Sequence, residues 1–514
     1  MNNTIMRSTK TSRLKVSPAS PSFRATKLSA AIARGAMTLA VTSTLLLIIA
    51  VCPVQAQTEN VLYNFTGTPD GANPYSGVIL NGGDFYGTTY NGGLNGDGTV
   101  YQIAPNGSGW TETVLYSFCS ETNCADGQNP YFTNLVFDGD GNLYGTTYNG
   151  GANGDGVVFE LTPNLTGPWT ETVLYSFGGT PDAANPINGL IWDSAGNLYG
   201  TTYNGGVGDI GTVFELSPNG HGSWTERVVA SVAEIDAGLT INAAGDIFGT
   251  TNTTVFELKP NGTGGYDLPK TLYTFPSSEV RGETPEGTLV LDSSGNIYGT
   301  TRAGGKVGDG TVFKLTLTTK GTYTQSILYS FGSNGTTPYG GVVFDPAGNL
   351  YGTTRFGGAN DTGVVYELNL TGTGAYSERV REPFTGENGA APYDTLLYNQ
   401  GYLYGTTFSG GADGYGTVFV VNPNASATTT TVASSTNPAT EGESVTFTAT
   451  VSPAPPNGEV VVFEPIGQSI MTNGVATYTT SALAVGTTRV RAVYGGDLNF
   501  ITSMSAWYSQ VVKK

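Results

Sequence analysis

Asn142-Leu-Tyr-Gly-Thr-Thr-Tyr-Asn-Gly-Gly-Ala-Asn-Gly-Asp-Gly-Val-Val-Phe-Glu-Leu161 decides the fold, because most of it recurs along the chain. The block Tyr-Gly-Thr-Thr starts at Tyr86, Tyr144, Tyr199, Tyr298, Tyr351 and Tyr404, and Phe248-Gly-Thr-Thr251 is a seventh copy. Successive copies lie 58, 55, 49, 50, 53 and 53 residues apart. A fixed period of this size marks a repeat architecture. The second repeat reads as four short strands: a, Asn134–Asp138; b, Asn142–Thr147; c, Gly156–Leu161; d, Trp169–Phe177. All are rich in β-branched and aromatic residues and are bounded by Gly, Pro and Asn. Seven such repeats predict an all-β fold, a seven-bladed β-propeller of four-stranded blades.

The ends of the array predict how the ring closes. It begins at Glu59-Asn-Val-Leu-Tyr-Asn-Phe65, which matches strand d, and ends at Gly416-Thr-Val-Phe-Val-Val-Asn422, which matches strand c. The N-terminal strand should therefore complete the last blade and remove the open edges. The a–b turns Asp193-Ser-Ala-Gly-Asn197, Asp292-Ser-Ser-Gly-Asn296 and Asp345-Pro-Ala-Gly-Asn349 open on Asp and close on a left-handed Gly. Asp138-Gly-Asp140-Gly-Asn142 begins like a calcium loop, but its twelfth position is Asn149 where Glu is needed, so a turn is expected.

The block from Asn142 to Leu161 resembles the Gloeo/Verruco (GloVer) tandem repeat of exported bacterial proteins, over roughly residues 59–424. The resemblance implies export and a propeller-like fold, and implies no activity. No C-terminal anchor of the kind frequent in that family is expected from Val512-Lys513-Lys514.

Composition brackets this array. Arg7, Lys10, Arg13, Lys15, Arg24, Lys27 and Arg34 precede an apolar run from Ala36 to Cys52 and the small-residue pattern Val54-Gln55-Ala56. This order predicts a signal peptide over residues 1–56, with retention as an anchor or lipidation at Cys52 as the alternatives. Export places the protein at the cell surface or outside the cell, with no membrane span after cleavage. Beyond Ala56, 15 basic side chains face 40 acidic ones, a net charge of −25. That excludes nucleic acid and anionic membrane surfaces as natural partners. A single His, His221, excludes His-cluster metal sites and most His-based catalysis, and its turn reads as variable surface. In an exported chain Cys119 and Cys124 are expected to form a local disulfide. The expected domains are the propeller at 57–424, a linker at 425–430 and a sandwich at 431–514. Strands Glu443–Val451, Gly458–Phe463, Val475–Thr480, Thr488–Tyr494 and Ala506–Val511 alternate as sandwich strands do. Asn437–Val451 and Val493–Phe500 resemble a bacterial Ig-like domain, a module that usually spaces or adheres.

In a four-stranded blade the d–a and b–c connections share one face. The d–a links carry Pro74-Tyr75, Pro130-Tyr131, Pro338-Tyr339 and Pro392-Tyr393. The b–c loops start at Tyr90, Tyr148, Tyr203, Arg302, Arg355 and Phe408. With strand a innermost, these ten residues form the candidate ligand face. Blade 4 lacks both features, so a notch is expected there. Tyr and Phe offer flat surfaces to sugar rings, and Asn and Asp accept hydroxyl hydrogens. The loop acids Asp97, Asp155, Asp209, Asp309, Asp361 and Asp413 are weak calcium candidates, since hard cations take oxygen ligands. No other cofactor is implied. Purely structural Gly, Asn and Asp turns compete with both readings.

The sequence reading is thus an exported, non-catalytic binding protein with polysaccharide or a surface protein as partner. The alternatives are a carboxylate-based glycosidase or lyase, which needs no His, and a structural spacer.

Overall fold

The computed structural model describes residues 59–514 apart from 108, 165–167, 221–222, 236, 277–280, 373 and 502. The expected signal peptide and His221 lie outside the described residues. Seven four-stranded antiparallel sheets follow in chain order, each in the order a-b-c-d. Blade 2 is representative: Val136–Phe137, Leu143–Thr147, Val157–Thr162 and Thr170–Ser176. In blade 7, Leu397–Asn399, Tyr402–Thr407 and Thr417–Val421 are joined by the N-terminal strand Glu59–Asn64. That strand runs antiparallel to strand c, with Glu59 opposite Val421 and Asn64 opposite Thr417. The ring is closed by its two ends, as the sequence predicts.

Apolar side chains form one core between each pair of neighbouring blades. Leu115 and Phe118 of blade 1 pack on Leu143 and Phe159 of blade 2. Phe65 and Val418 of blade 7 pack on Phe85 and Tyr101 of blade 1. The remaining five interfaces repeat the scheme.

Each residue of Tyr-Gly-Thr-Thr has a structural task. The Tyr144 hydroxyl donates to the Asp138 and Glu160 carboxylates, both at 3.0 Å. Gly145 lies under the ring of Phe159. Thr146 Oγ1 donates across the blade boundary to the Asn188 carbonyl at 3.4 Å, and Thr406 Oγ1 does the same to the Ser76 carbonyl at 2.7 Å. Thr147 Oγ1 donates to the Asn149 carbonyl and fixes the start of the b–c loop.

The a–b turns form as predicted. Asp138 Oδ1 accepts the amides of Asp140 and Asn142, and Gly141 sits at φ 89°. Asp138 Oδ2 accepts Asn142 Nδ2 at 2.8 Å and the Tyr144 hydroxyl, so both oxygens of this carboxylate bond within its own blade.

The sandwich pairs Thr429–Ser434, Val445–Ser452 and Val475–Thr480 in one sheet. The other holds Ala439–Thr440, Tyr508–Lys513, Gly486–Tyr494, Val460–Glu464 and Gly467–Ile470, with Ser503–Met504 paired to Gly486–Tyr494. Phe447, Val461, Phe463, Val490 and Tyr494 fill the space between them. Among the described residues no helix is long and apolar enough to cross a membrane.

Candidate functional site

The Pro-x positions of the d–a links meet at the axis of the ring. Tyr75 of blade 1 touches Tyr131 of blade 2 at 4.8 Å and Tyr393 of blade 7 at 5.0 Å between ring centroids. Phe132 of blade 2 reaches Tyr393 at 5.8 Å, skipping blade 1, which places these rings at the channel mouth. The b–c residues stand behind them: Tyr90 on Tyr75 at 5.4 Å, Tyr148 on Tyr131 at 5.6 Å and Phe408 on Tyr75 at 4.5 Å. The two loop sets therefore share a face, as expected.

The loops are more ordered than Gly-rich sequence suggests, because they pair with each other. Gly71–Ala72 bonds to Asn91–Gly92 as a two-stranded ladder. Gln128 with Asn149, Glu283 with Ala303, Thr336 with Phe356 and Ala390 with Ser409 repeat it as single bridges. In blade 3 the ladder merges with strand a into one strand, Ala183–Trp192.

Together these residues line a cavity of about 590 Å³. Tyr75, Tyr90, Tyr131, Tyr148, Tyr203, Tyr339 and Tyr393 are all on its wall. Arg302, Arg355 and Phe408 are packed against that wall rather than part of it. Arg302 and Arg355 flank Tyr339, each 5.6 Å from the ring centroid, and Arg302 Nη1 donates to the Tyr339 hydroxyl at 3.3 Å. Tyr203 is half exposed at the rim. Burial raises the pKa of Tyr75, Tyr131, Tyr148 and Tyr393, the last to about 12. At neutral pH these phenols are neutral donors with apolar faces.

Two acids on the wall escape the sequence reading. Glu286 occupies the position that is Tyr75, Tyr131, Ile187, Tyr339 or Tyr393 in the other Pro-x links, and pairs with Arg302 Nε at 2.8 Å. Pro285-Glu286 was a visible exception to Pro-Tyr. Asp394 follows Tyr393 and accepts the Gly77 amide at 2.7 Å and its own neighbour's, Thr395, at 2.6 Å. It also bonds to Asn134, and burial raises its pKa. Asp394 thus pins blades 7, 1 and 2 together under the tyrosines. Both carboxyl groups have partners within the ring, Glu286 in an ion pair and Asp394 with two backbone amides.

Blade 4 adds nothing to the described wall of the cavity. Its short connections instead border a shallow cleft of about 340 Å³, lined by Glu234, Asn252 and Asp209 and shared at its edge by Tyr203. The notch expected from the shortened loops is this cleft. The candidate calcium acids are spread one to a blade. Asp209 Oδ1 caps the Gly205 amide, Asp361 Oδ1 caps the Gly357 amide, and Asp97 Oδ1 accepts from Gln128 Nε2. Among the described residues the one group of potential ligands is Asp97 with Cys119 and Cys124. The two cysteines are disulfide-bonded, which takes both sulfurs out of metal chemistry.

A family profile described as the Gloeobacter/Verrucomicrobia repeat matches residues 47–167, 111–294, 231–371 and 285–452. A second, the bacterial Ig-like domain (group 3), matches 431–513. No curated protein matches the chain. Similar solved structures include the extracellular domain of a hybrid two-component system from B. thetaiotaomicron, at 13% identity and TM-score 0.48. It covers 89% of this chain, and the chain spans 59% of it. A catalytically inactive virginiamycin B lyase from Staphylococcus aureus, solved with quinupristin, has 15% identity and TM-score 0.42, covering 71% of this chain and 98% of its own. A polysaccharide lyase, an ulvan lyase bound to a glucuronate–sulfated rhamnose unit, has 10% identity and TM-score 0.44, covering 71% and 96%.

Proposed function

The chain belongs to the Gloeobacter/Verrucomicrobia repeat family, and from its tyrosine-walled channel mouth we propose that it is an exported, non-catalytic protein that binds carbohydrate. Family membership accounts for the repeat. The ligand class rests on one observation: seven tyrosines from seven loops converge on a single cavity of about 590 Å³. That volume lies within the ordinary range of small-molecule sites, about 300–1,000 Å³. Their apolar faces suit sugar rings and their neutral hydroxyls suit sugar hydroxyls, an amphipathic combination that favours Tyr at binding surfaces generally. The two unrepeated wall acids, Glu286 and Asp394, favour a second reading, a polysaccharide-cleaving enzyme. Their structural bonds make it the lesser one.

The purified protein would be titrated with a polysaccharide panel, with calcium and with chelator, while reducing ends are measured in the same wells. Saturable binding without reducing-end release is expected, unchanged by chelator and weakened at least about tenfold by Tyr131→Ala. Release of reducing ends abolished by Glu286→Gln would establish the enzyme reading instead. No binding to any polysaccharide would leave the spacer reading.

A further inference from the structure

The residue after each Tyr-Gly-Thr-Thr block changes chemistry around the mouth. It is Tyr90, Tyr148 and Tyr203 on blades 1 to 3, and Arg302 and Arg355 on blades 5 and 6. The two guanidinium groups have different partners. Arg302 is neutralised by Glu286 at 2.8 Å. Arg355 makes no ion pair among the described residues. Its guanidinium is packed among three rings, 4.4 Å from the centroid of Phe356, 4.8 Å from Tyr393 and 5.6 Å from Tyr339. Its Nε is withdrawn from water and has no hydrogen-bond acceptor among the described residues. It acts electrostatically on Tyr75 as well as Tyr393, and both line the cavity.

We propose that Arg355 recognises an acidic group on the bound glycan, so the ligand is a polysaccharide carrying carboxylate or sulfate groups at intervals. This rests on the carbohydrate reading above. The net charge of −25 beyond Ala56 opposes a densely charged polymer. At physiological ionic strength, however, charges beyond about 8 Å are screened. Inside the mouth Glu286 is cancelled by Arg302, and Asp394 is buried under amide donors. The charge left uncancelled is that of Arg355, which stands beside the wall residues Tyr339 and Tyr393 and is itself partly exposed. A planar guanidinium offers paired donors matched to carboxylate or sulfate oxygens. Held among rings, it is oriented before the ligand arrives.

The test uses matched probes that differ only in charge: oligogalacturonate against its methyl ester, and dextran sulfate against dextran. Wild type should bind at least one charged member about tenfold more tightly than its neutral counterpart. Arg355→Gln should bring that ratio close to one, and because the ratio is taken within the variant, any general loss of binding cancels from it. Arg355→Lys should keep part of the preference. The charged arm that responds distinguishes carboxylate from sulfate. Equal binding of charged and neutral probes by wild type overturns the inference and leaves the carbohydrate reading standing. So does an unchanged ratio in Arg355→Gln. No binding of any probe overturns both.

Discussion

At the scale of single residues, the glycine of Tyr-Gly-Thr-Thr shows how a short motif can be wholly structural. A Cβ built on Gly145 would stand 2.6 Å from Cζ of Phe159 and 2.9 Å from Cδ2 of Leu135. Gly200, Gly249, Gly299 and Gly405 meet Phe214, Phe256, Phe313 and Phe419 in the same way. All these rings are buried between neighbours, so none can retreat. Gly145→Ala should therefore destabilise the protein by about 1–3 kcal/mol, the usual cost of overpacking a filled core. Pairing it with Phe159→Leu should recover part of the loss, and chemical denaturation of the two variants checks both. An unchanged midpoint for Gly145→Ala would show that the interface is looser than this. The same geometry explains why the repeated tyrosine of the motif spends its hydroxyl inside the blade. Tyr144 spends its hydroxyl on Asp138 and Glu160 inside the blade, whereas Tyr148, four residues on, lies on the cavity wall.

At the scale of elements, strand d carries a titrating device in the first three blades. Glu112 and Glu226 lie close to Asp70 and Asp182 of the preceding d–a links, and Glu171 lies close to Asp126. Burial first, and the neighbouring carboxylate second, raises each of the three Glu to about 8. The folded state therefore holds protons that the unfolded chain releases above its ordinary Glu pKa. Stability from these groups is complete below about pH 4.5 and is lost progressively as the pH rises to about 8. The melting temperature should fall between pH 5 and pH 8, and the variant with all three Glu changed to Gln should fall less. Blade 5 shows that Gln fits: Gln325 accepts the Tyr273 hydroxyl and donates to the Arg281 carbonyl, both at 2.8 Å. Parallel pH profiles for wild type and variant would refute the account. The strands, their closing turns and the notch were legible in the sequence, because each has a local cause: alternation, an Asp–Gly turn, a missing Pro-Tyr. The ladder between the d–a and b–c loops was not, since Gly71–Ala72 and Asn91–Gly92 carry no apolar alternation to announce pairing. Glu286 was missed although its position marks it, as the one acid in a series of aromatic and aliphatic side chains. The role of Asp394 was not, because its partners Gly77 and Asn134 come from the far end of the array and only ring closure brings them near.

At the scale of the whole molecule, closure rests on one strand of six residues. Glu59–Asn64 supplies the outer strand of blade 7, and the next residue, Phe65, is fully buried in the interface between blades 7 and 1. Elsewhere the ring is held by covalent continuity from blade to blade. At this seam noncovalent bonds substitute for it: the strand pairing itself, the Thr406 bond to the Ser76 carbonyl at 2.7 Å, and the Asp394 bond to the Gly77 amide at 2.7 Å. Asp394 also stands on the cavity wall, so opening the seam must disturb the tyrosines above it. Two truncations separate the strand from whatever precedes it, one removing residues up to 58 and one removing residues up to 64. The first should melt like the parent. The second leaves blade 7 with three strands and an exposed edge, and should melt roughly 10 °C lower. It should also lose polysaccharide binding in proportion, because Tyr75 and Tyr393 meet across this seam at 5.0 Å. If the second truncation melts like the first, closure lies in the interblade bonds and not in the strand. If it melts lower but binds undiminished, the cavity does not depend on the seam, and Asp394 is no more than a local turn acid.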